Sequence, residues 1–256
     1  MSKLSQTNRF LDFSDYGRPI AQWIAQNLKN TRTTPIHVTI GFAISGLIAI
    51  LCMLNEHYWS AGFFLILKSI LDAADGELSR VKNTPSYTGR YLDSVFDFIL
   101  NGLLLITICY ITNDSWFYTF LAFFCIQLQG TLYNYYYVVI RNKYQGGDKT
   151  SRIIEDKAPK AINNENQETV NTLFFIYNLF YCIFDKIIFH FDEAAVEVNR
   201  FPNWFMSLIS IYGLGFQLLI MSVMLALDWI DFIIPFFILY SLLLIVFVSI
   251  RKRFIH

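Results

Sequence analysis

Residues 71–99 read LDAADGELSRVKNTPSYTGRYLDSVFDFI. Asp72 and Asp75 lie three residues apart and Asp93 and Asp97 four apart, so on helices each pair shares one face. Asn83-Thr84-Pro85-Ser86 between them is a turn signal, which makes the stretch a helical hairpin with both carboxylate pairs at one end. Carboxylates gathered in a low-dielectric setting repel at a cost of several kcal/mol each unless something offsets the charge. Cations are the natural remedy. An all-oxygen donor set favours hard divalent ions such as Mg²⁺ or Mn²⁺, and four carboxylates can hold two of them. Two such ions suit displacement at phosphorus, because they neutralise phosphate oxygens and stabilise the attacking and leaving groups. Gly76 and Gly89 leave backbone open to a ligand, and Arg80 offers a fixed, forked charge for a phosphate.

The flanks of the hairpin are apolar. Of the 256 residues 55% are apolar, 18% aromatic and only 16% charged, against about 25% charged in a soluble domain. A core of this size cannot hold so many apolar side chains, so much of the surface faces lipid. Six stretches are long enough to cross a bilayer, at 36–54, 58–78, 90–112, 115–140, 204–227 and 230–250. Lys and Arg collect before the first, after the second, after the fourth and after the sixth, whereas the loops near Glu56, Asp114 and Asp228 have none. The positive-inside rule therefore puts both termini and the hairpin turn, with its active site, in the cytoplasm. A formal net charge of zero argues against bulk attraction to nucleic acid.

Two further segments read as helices that do not span. Ahead of the first apolar run, Ile20, Trp23, Ile24 and Leu28 fall at helical spacing behind Pro19, the pattern of an amphipathic helix lying in the membrane interface. Residues 171–191 are apolar enough to cross, but crossing would strand Arg251, Lys252 and Arg253 outside. Asn171, Asn178 and Asp185 would also form a polar stripe there. The expectation is an interfacial or re-entrant helix within a cytoplasmic insert, 142–203. The chain then forms one all-α membrane domain over residues 1–256, a six-span bundle with cytoplasmic residues 1–35 in front. Cys52, Cys109, Cys125 and Cys182 lie inside apolar runs without metal or redox spacing, and read as small apolar fillers.

The hairpin resembles the signature of the CDP-alcohol phosphotransferase family, D-x2-D-G-x2-A-R-x8-G-x3-D-x3-D, with Asp72, Asp75, Gly76, Arg80, Gly89, Asp93 and Asp97 at the fixed positions. Ser79 replaces the usual alanine. Thr34-Pro35-Ile36-His37-Val38-Thr39 is similar to the T-P-N-x-V-T that opens the family's first span, and departs from it in having Ile36 in place of asparagine. The resemblance implies that Asp72, Asp75 and Asp93 are the principal metal ligands, and that Asp97 contacts metal and serves as catalytic base. It implies that Gly76, Arg80 and Gly89 hold the cytidine diphosphate, and that an alcohol attacks the β-phosphorus of a CDP-alcohol with release of CMP. A homodimer in the membrane is implied as well.

Other charges leave alternatives open. Lys68, one helical turn before Asp72, reads as an internal ion pair or as a phosphate contact. Arg141, Lys143, Lys149 and Arg152 around Gly146-Gly147 read as anchors facing anionic lipid or as a cradle for an acceptor phosphate. That cluster favours a lipid-carrying CDP donor with a polar, phosphorylated acceptor over a CDP-ethanolamine or CDP-choline donor with a lipid acceptor. A divalent-cation transporter or channel using the same aspartates is the competing function. Tyr133, Tyr135, Tyr136 and Tyr137 read as part of an aromatic belt at the membrane surface.

Overall fold

The computed structural model describes residues 10–144, 155–163, 165–198 and 200–255, and every regular element among them is helical. After α1 (Arg18–Leu28) come four long helices joined by short turns: α2 (Pro35–Leu54), α3 (Tyr58–Lys82), α4 (Tyr87–Thr112) and α5 (Trp116–Tyr144). Turn chemistry sets their ends. Thr34 caps α2 by accepting the His37 N–H, and Ser86 caps α4 by accepting the Gly89 N–H. Asn83 and Asn113 close α3 and α4 in the left-handed region, each at φ 54°, which a short polar side chain tolerates. Lys82 donates to the carbonyls of Thr31 and Thr33 at 2.8 and 2.7 Å, so the start of α2 and the α3–α4 turn lie at the same end of the bundle.

The later helices are broken. α7 (Asn203–Ile209) and α8 (Leu214–Ala226) meet at a 52° bend, and α9 (Ile233–Tyr240) runs on into α10 (Leu242–Phe254). A Cβ on Gly215 would collide with the Ser14 carbonyl oxygen, so glycine there lets the N-terminal segment wedge against α8. One apolar core joins α2, α3, α4 and α8 through Phe42, Leu65, Leu104 and Met221. A second joins α5, α7 and α10 through Tyr136, Phe205 and Phe247.

Between α5 and α7 lies α6 (Gln167–Phe191), whose Phe174, Tyr177, Tyr181, Phe184 and Ile188 recur at helical spacing and pack on α4 and α5. Both of its ends are fastened to the same end of the bundle. Glu165, just before it, binds the first turn of α4. Asp192, just after it, accepts from Tyr136 of α5 at 2.6 Å and pairs with Arg251 near the end of α10. The opposite face of α6 is exposed and apolar at Phe175, Leu179 and Ile183.

Among the described residues, four helices can cross a membrane by length and composition: Pro35–Leu54, Tyr87–Thr112, Gln167–Phe191 and Ile230–Phe254. The bent pair Asn203–Tyr212 with Leu214–Ala226 makes a fifth if it counts as one span. Two of the expected spans, α3 and α5, fall short of that measure. Lys68, Asp72 and Asp75 interrupt the apolar run of α3, and Gln127, Gln129 and Asn134 that of α5. The tyrosine belt is a correction: Tyr135, Tyr136 and Tyr137 are buried in the second core, not spread at a surface. Their hydroxyls explain it, because Tyr135 and Tyr136 reach Asp192, and neighbouring Tyr133 donates to Asp12 at 2.6 Å.

Candidate active site

The α3–α4 hairpin brings Asp72, Asp75 and Asp93 together, with one carboxylate oxygen of each within 4.8 Å of the others. Asp75 is buried and the other two half-buried. The Thr39 hydroxyl, from the first turns of α2, donates to Asp75 Oδ2 at 2.6 Å and fixes that carboxylate from the side. Asp93 Oδ1 is buried without a hydrogen-bond partner. An orphaned buried oxygen within a group of carboxylates is what a hard divalent cation would satisfy. These three residues fit an Mg²⁺ or Mn²⁺ ion.

Asp97 stands one turn further along α4 and apart from that group. Its Oδ1 accepts from Lys68 Nζ at 2.6 Å, and Lys68 is fully buried, with its ammonium 5.1 Å from the centre of the Phe42 ring. Lys68 thus forms an internal ion pair, but across to Asp97 on α4; Asp72, on its own helix, is not the partner. Asp97 also lies close beneath α6, whose Tyr181 hydroxyl donates to the Ser94 carbonyl at 3.0 Å.

The expected nucleotide residues lie toward the turn end of the hairpin. Arg80 lies 2.9 Å from Glu77, an ion pair one helical turn long that turns the guanidinium along α3. The Cα of Gly76 faces that guanidinium, and a Cβ there would come within 3.5 Å of Nη1. Gly89 gives its N–H to Ser86 Oγ at 2.8 Å, so what it can offer a ligand is its bare Cα.

Of the expected acceptor cluster, Lys68, Arg141 and Lys143 are described. Lys143 donates to the Val198 carbonyl at 2.6 Å, and Arg141 sits 5.9 Å from the centre of the Tyr137 ring. Lys149 and Arg152 lie outside the described residues. The sequence reading missed Thr39, Glu77, Glu155 and Glu165. Thr39 was within reach, since it closes the quoted Thr34–Thr39 segment, but nothing local to the two insert glutamates points to α4.

The family model for CDP-alcohol phosphatidyltransferase matches residues 32–198. The chain is 34% identical over 91 residues to the bifunctional IPC transferase and DIPP synthase of Thermococcus kodakarensis, covering 36% of this chain and 21% of that protein. It is 39% identical over 69 residues to the CDP-diacylglycerol–serine O-phosphatidyltransferase of Bacillus subtilis, covering 27% of this chain and 39% of the relative. The chain thus matches well under half the length of either. The family match spans the carboxylate hairpin, α5 and α6, and with the apolar helices it makes this an integral membrane protein. The chain belongs to the CDP-alcohol phosphatidyltransferase family.

Proposed function

We propose that the protein transfers a substituted phosphate from a CDP-alcohol to an acceptor alcohol and releases CMP. The observation that carries this reading is the group of Asp72, Asp75 and Asp93 within 4.8 Å, built from residues of the family signature. Asp72, Asp75 and Asp93 would hold the metal, with Asp97 completing a two-ion site. When bound, Mg²⁺ or Mn²⁺ neutralises the diphosphate oxygens that Arg80 alone cannot. Asp97 accepts the proton of the acceptor hydroxyl, and its Lys68 partner holds the carboxylate in one orientation. The acceptor oxygen then bonds to the β-phosphorus as the bond between that phosphorus and the CMP oxygen breaks. Gly76 and Gly89 give the diphosphate room, and Arg80 binds it by turning from Glu77. A channel would need carboxylates at several depths; here the group lies at one end of the hairpin.

The donor carries the lipid and the acceptor is polar. The Bacillus relative's name contains a CDP-diacylglycerol donor and a serine acceptor, which is that arrangement. A phosphorylated acceptor draws less support, because Lys68 and Lys143 already have partners.

In the membrane we infer six passes: α2, α3, α4, α5, α7 with α8, and α9 with α10. The site and both chain ends lie on the cytoplasmic side, where the basic residues collect. The attachment of both ends of α6 to one end of the bundle supports a helix that dips in without crossing. Exposed Ile20 and Trp23 support an interfacial α1, whose Ala21 and Ala25 pack on α3.

CMP release by the purified protein, measured against a panel of CDP-alcohols and acceptors, tests the reading. Release with a lipid-bearing donor and a polar alcohol is expected. No release from any donor and acceptor pair would overturn it.

A further inference from the structure

In sequence the stretch between α5 and α6 is a polar loop without a task, yet its described part grips the start of α4 from two sides. Glu165 Oε1 accepts from the Ser86 hydroxyl and from the Thr88 N–H, each at 2.7 Å, and Oε2 accepts from the Tyr87 N–H at 3.1 Å. Ser86 Oγ in turn accepts from the Gly89 N–H at 2.8 Å. On the other side Glu155, buried, takes the Arg90 guanidinium and the Tyr91 hydroxyl. Asn163 donates to the Pro85 carbonyl at 2.7 Å. Val170 and Phe174 pack on Tyr87 and Tyr91 beneath these contacts.

The first N–H groups of a helix have no partner inside it and together form an anion site. At α4 the N–H groups of Tyr87, Thr88 and Gly89 are all taken by protein side chains, two of them by a carboxylate from a distant part of the chain. That carboxylate sits on the turn carrying Gly89, one turn before Asp93. A ligand set works only when its supporting contacts hold each group within about 0.5 Å of the productive geometry. A first turn free to fray would shift Gly89 and Asp93 against Asp72 and Asp75.

We propose that Glu165 is a positioning residue of the transfer site: by capping α4 it fixes how Asp93 and Gly89 meet the α3 carboxylates, with Glu155 bracing the same turn through Arg90 and Tyr91. The kinetic part rests on the function proposed above; the structural part does not.

The test compares wild type, Glu165→Gln and Glu165→Ala, purified in detergent. Amide hydrogen exchange is followed without metal in a peptide covering residues 83–92 and in one from α8. Exchange at 87–89 should rise about tenfold in Glu165→Ala, the size expected for a lost helix cap, and less in Glu165→Gln, while the α8 peptide is unchanged. Mn²⁺ titration by electron paramagnetic resonance should show a several-fold weaker affinity in Glu165→Ala, partly restored in Glu165→Gln. The Mn²⁺ concentration for half-maximal CMP release should rise in step. A merely structural cap would lower the yield of active protein without moving either Mn²⁺ value. Faster exchange with wild-type Mn²⁺ affinity would therefore overturn the proposal, as would unchanged exchange. Glu165-dependent Mn²⁺ binding in a protein that releases no CMP would sink the transferase reading and leave the positioning role standing.

Discussion

Asp97 and Asp75 carry the same group on the two helices of one hairpin, yet their surroundings differ. Asp75 is tied to Thr39 and grouped with two other carboxylates, whereas Asp97 faces a buried lysine. Asp97→Asn keeps the shape but cannot take a proton, so single-turnover CMP release should fall about 10²–10⁴-fold while nucleotide affinity survives. Asp75→Asn should weaken metal and nucleotide binding together. Arg80→Ala should chiefly raise the CDP-alcohol concentration needed, because it removes a charged contact and leaves the ligand set alone. Near-normal turnover in Asp97→Asn would remove it as the base. Glu165 carries a pH signature. Burial pushes its carboxyl up, but the bonds from Ser86, Thr88 and Tyr87 outweigh that and leave it below its ordinary value. Its contribution to stability is therefore complete above that ordinary value and is lost as pH falls through the depressed one. The melting difference between wild type and Glu165→Gln should be constant from neutral pH to about 5 and shrink below about 4.5. The seven signature positions could be read because their spacing is local to one hairpin. Glu165 could not, since its partners lie 77 to 79 residues away and no periodicity links them.

At the scale of elements, the all-helical plan was legible wherever apolar runs were long. The bounds expected for the first and third spans, 36–54 and 90–112, lie within α2 and α4. The breaks were less so. A 52° bend at Ser210–Gly213 has no proline to announce it, and Ser14 packs against Gly213 and Gly215 there. α6 is long and apolar enough to cross; the proposed six-pass plan has it dip in instead, on the strength of its ties through Glu165 to α4 and through Asp192 to α5 and α10. Single cysteines at Met1, Gly147, Asn199 and His256, all outside the described residues, should react with an impermeant thiol reagent only from the cytoplasmic side. Labelling of His256 from the opposite side would mean that α6 crosses and that the number of passes is odd.

For the molecule as a whole, the proposed function makes activity conditional on a cation held by the carboxylate group. CMP release should vanish in excess EDTA and return with Mg²⁺ or Mn²⁺; full turnover in chelator would end the metal-assisted reading. The two apolar cores divide the labour. One packs the hairpin helices against α2 and α8, and the other joins α5 to the C-terminal helix beneath Asp192. Arg251 and Asp192 are both nearly inaccessible, at 4% and 1% exposure. Replacing Arg251 by Met should cost about 3–5 kcal/mol, read as a lower melting temperature in detergent, because an uncompensated carboxylate stays behind. This pair also has an order in time. Asp192 is synthesised 59 residues before Arg251, so until the last helix is in place its carboxylate has the Tyr136 hydroxyl but not its guanidinium. The last helix thus closes the fold by delivering a counter-charge, and a chain cut shortly before Arg251 should melt lower than wild type, because Asp192 would keep its bond from Tyr136 and lose its guanidinium.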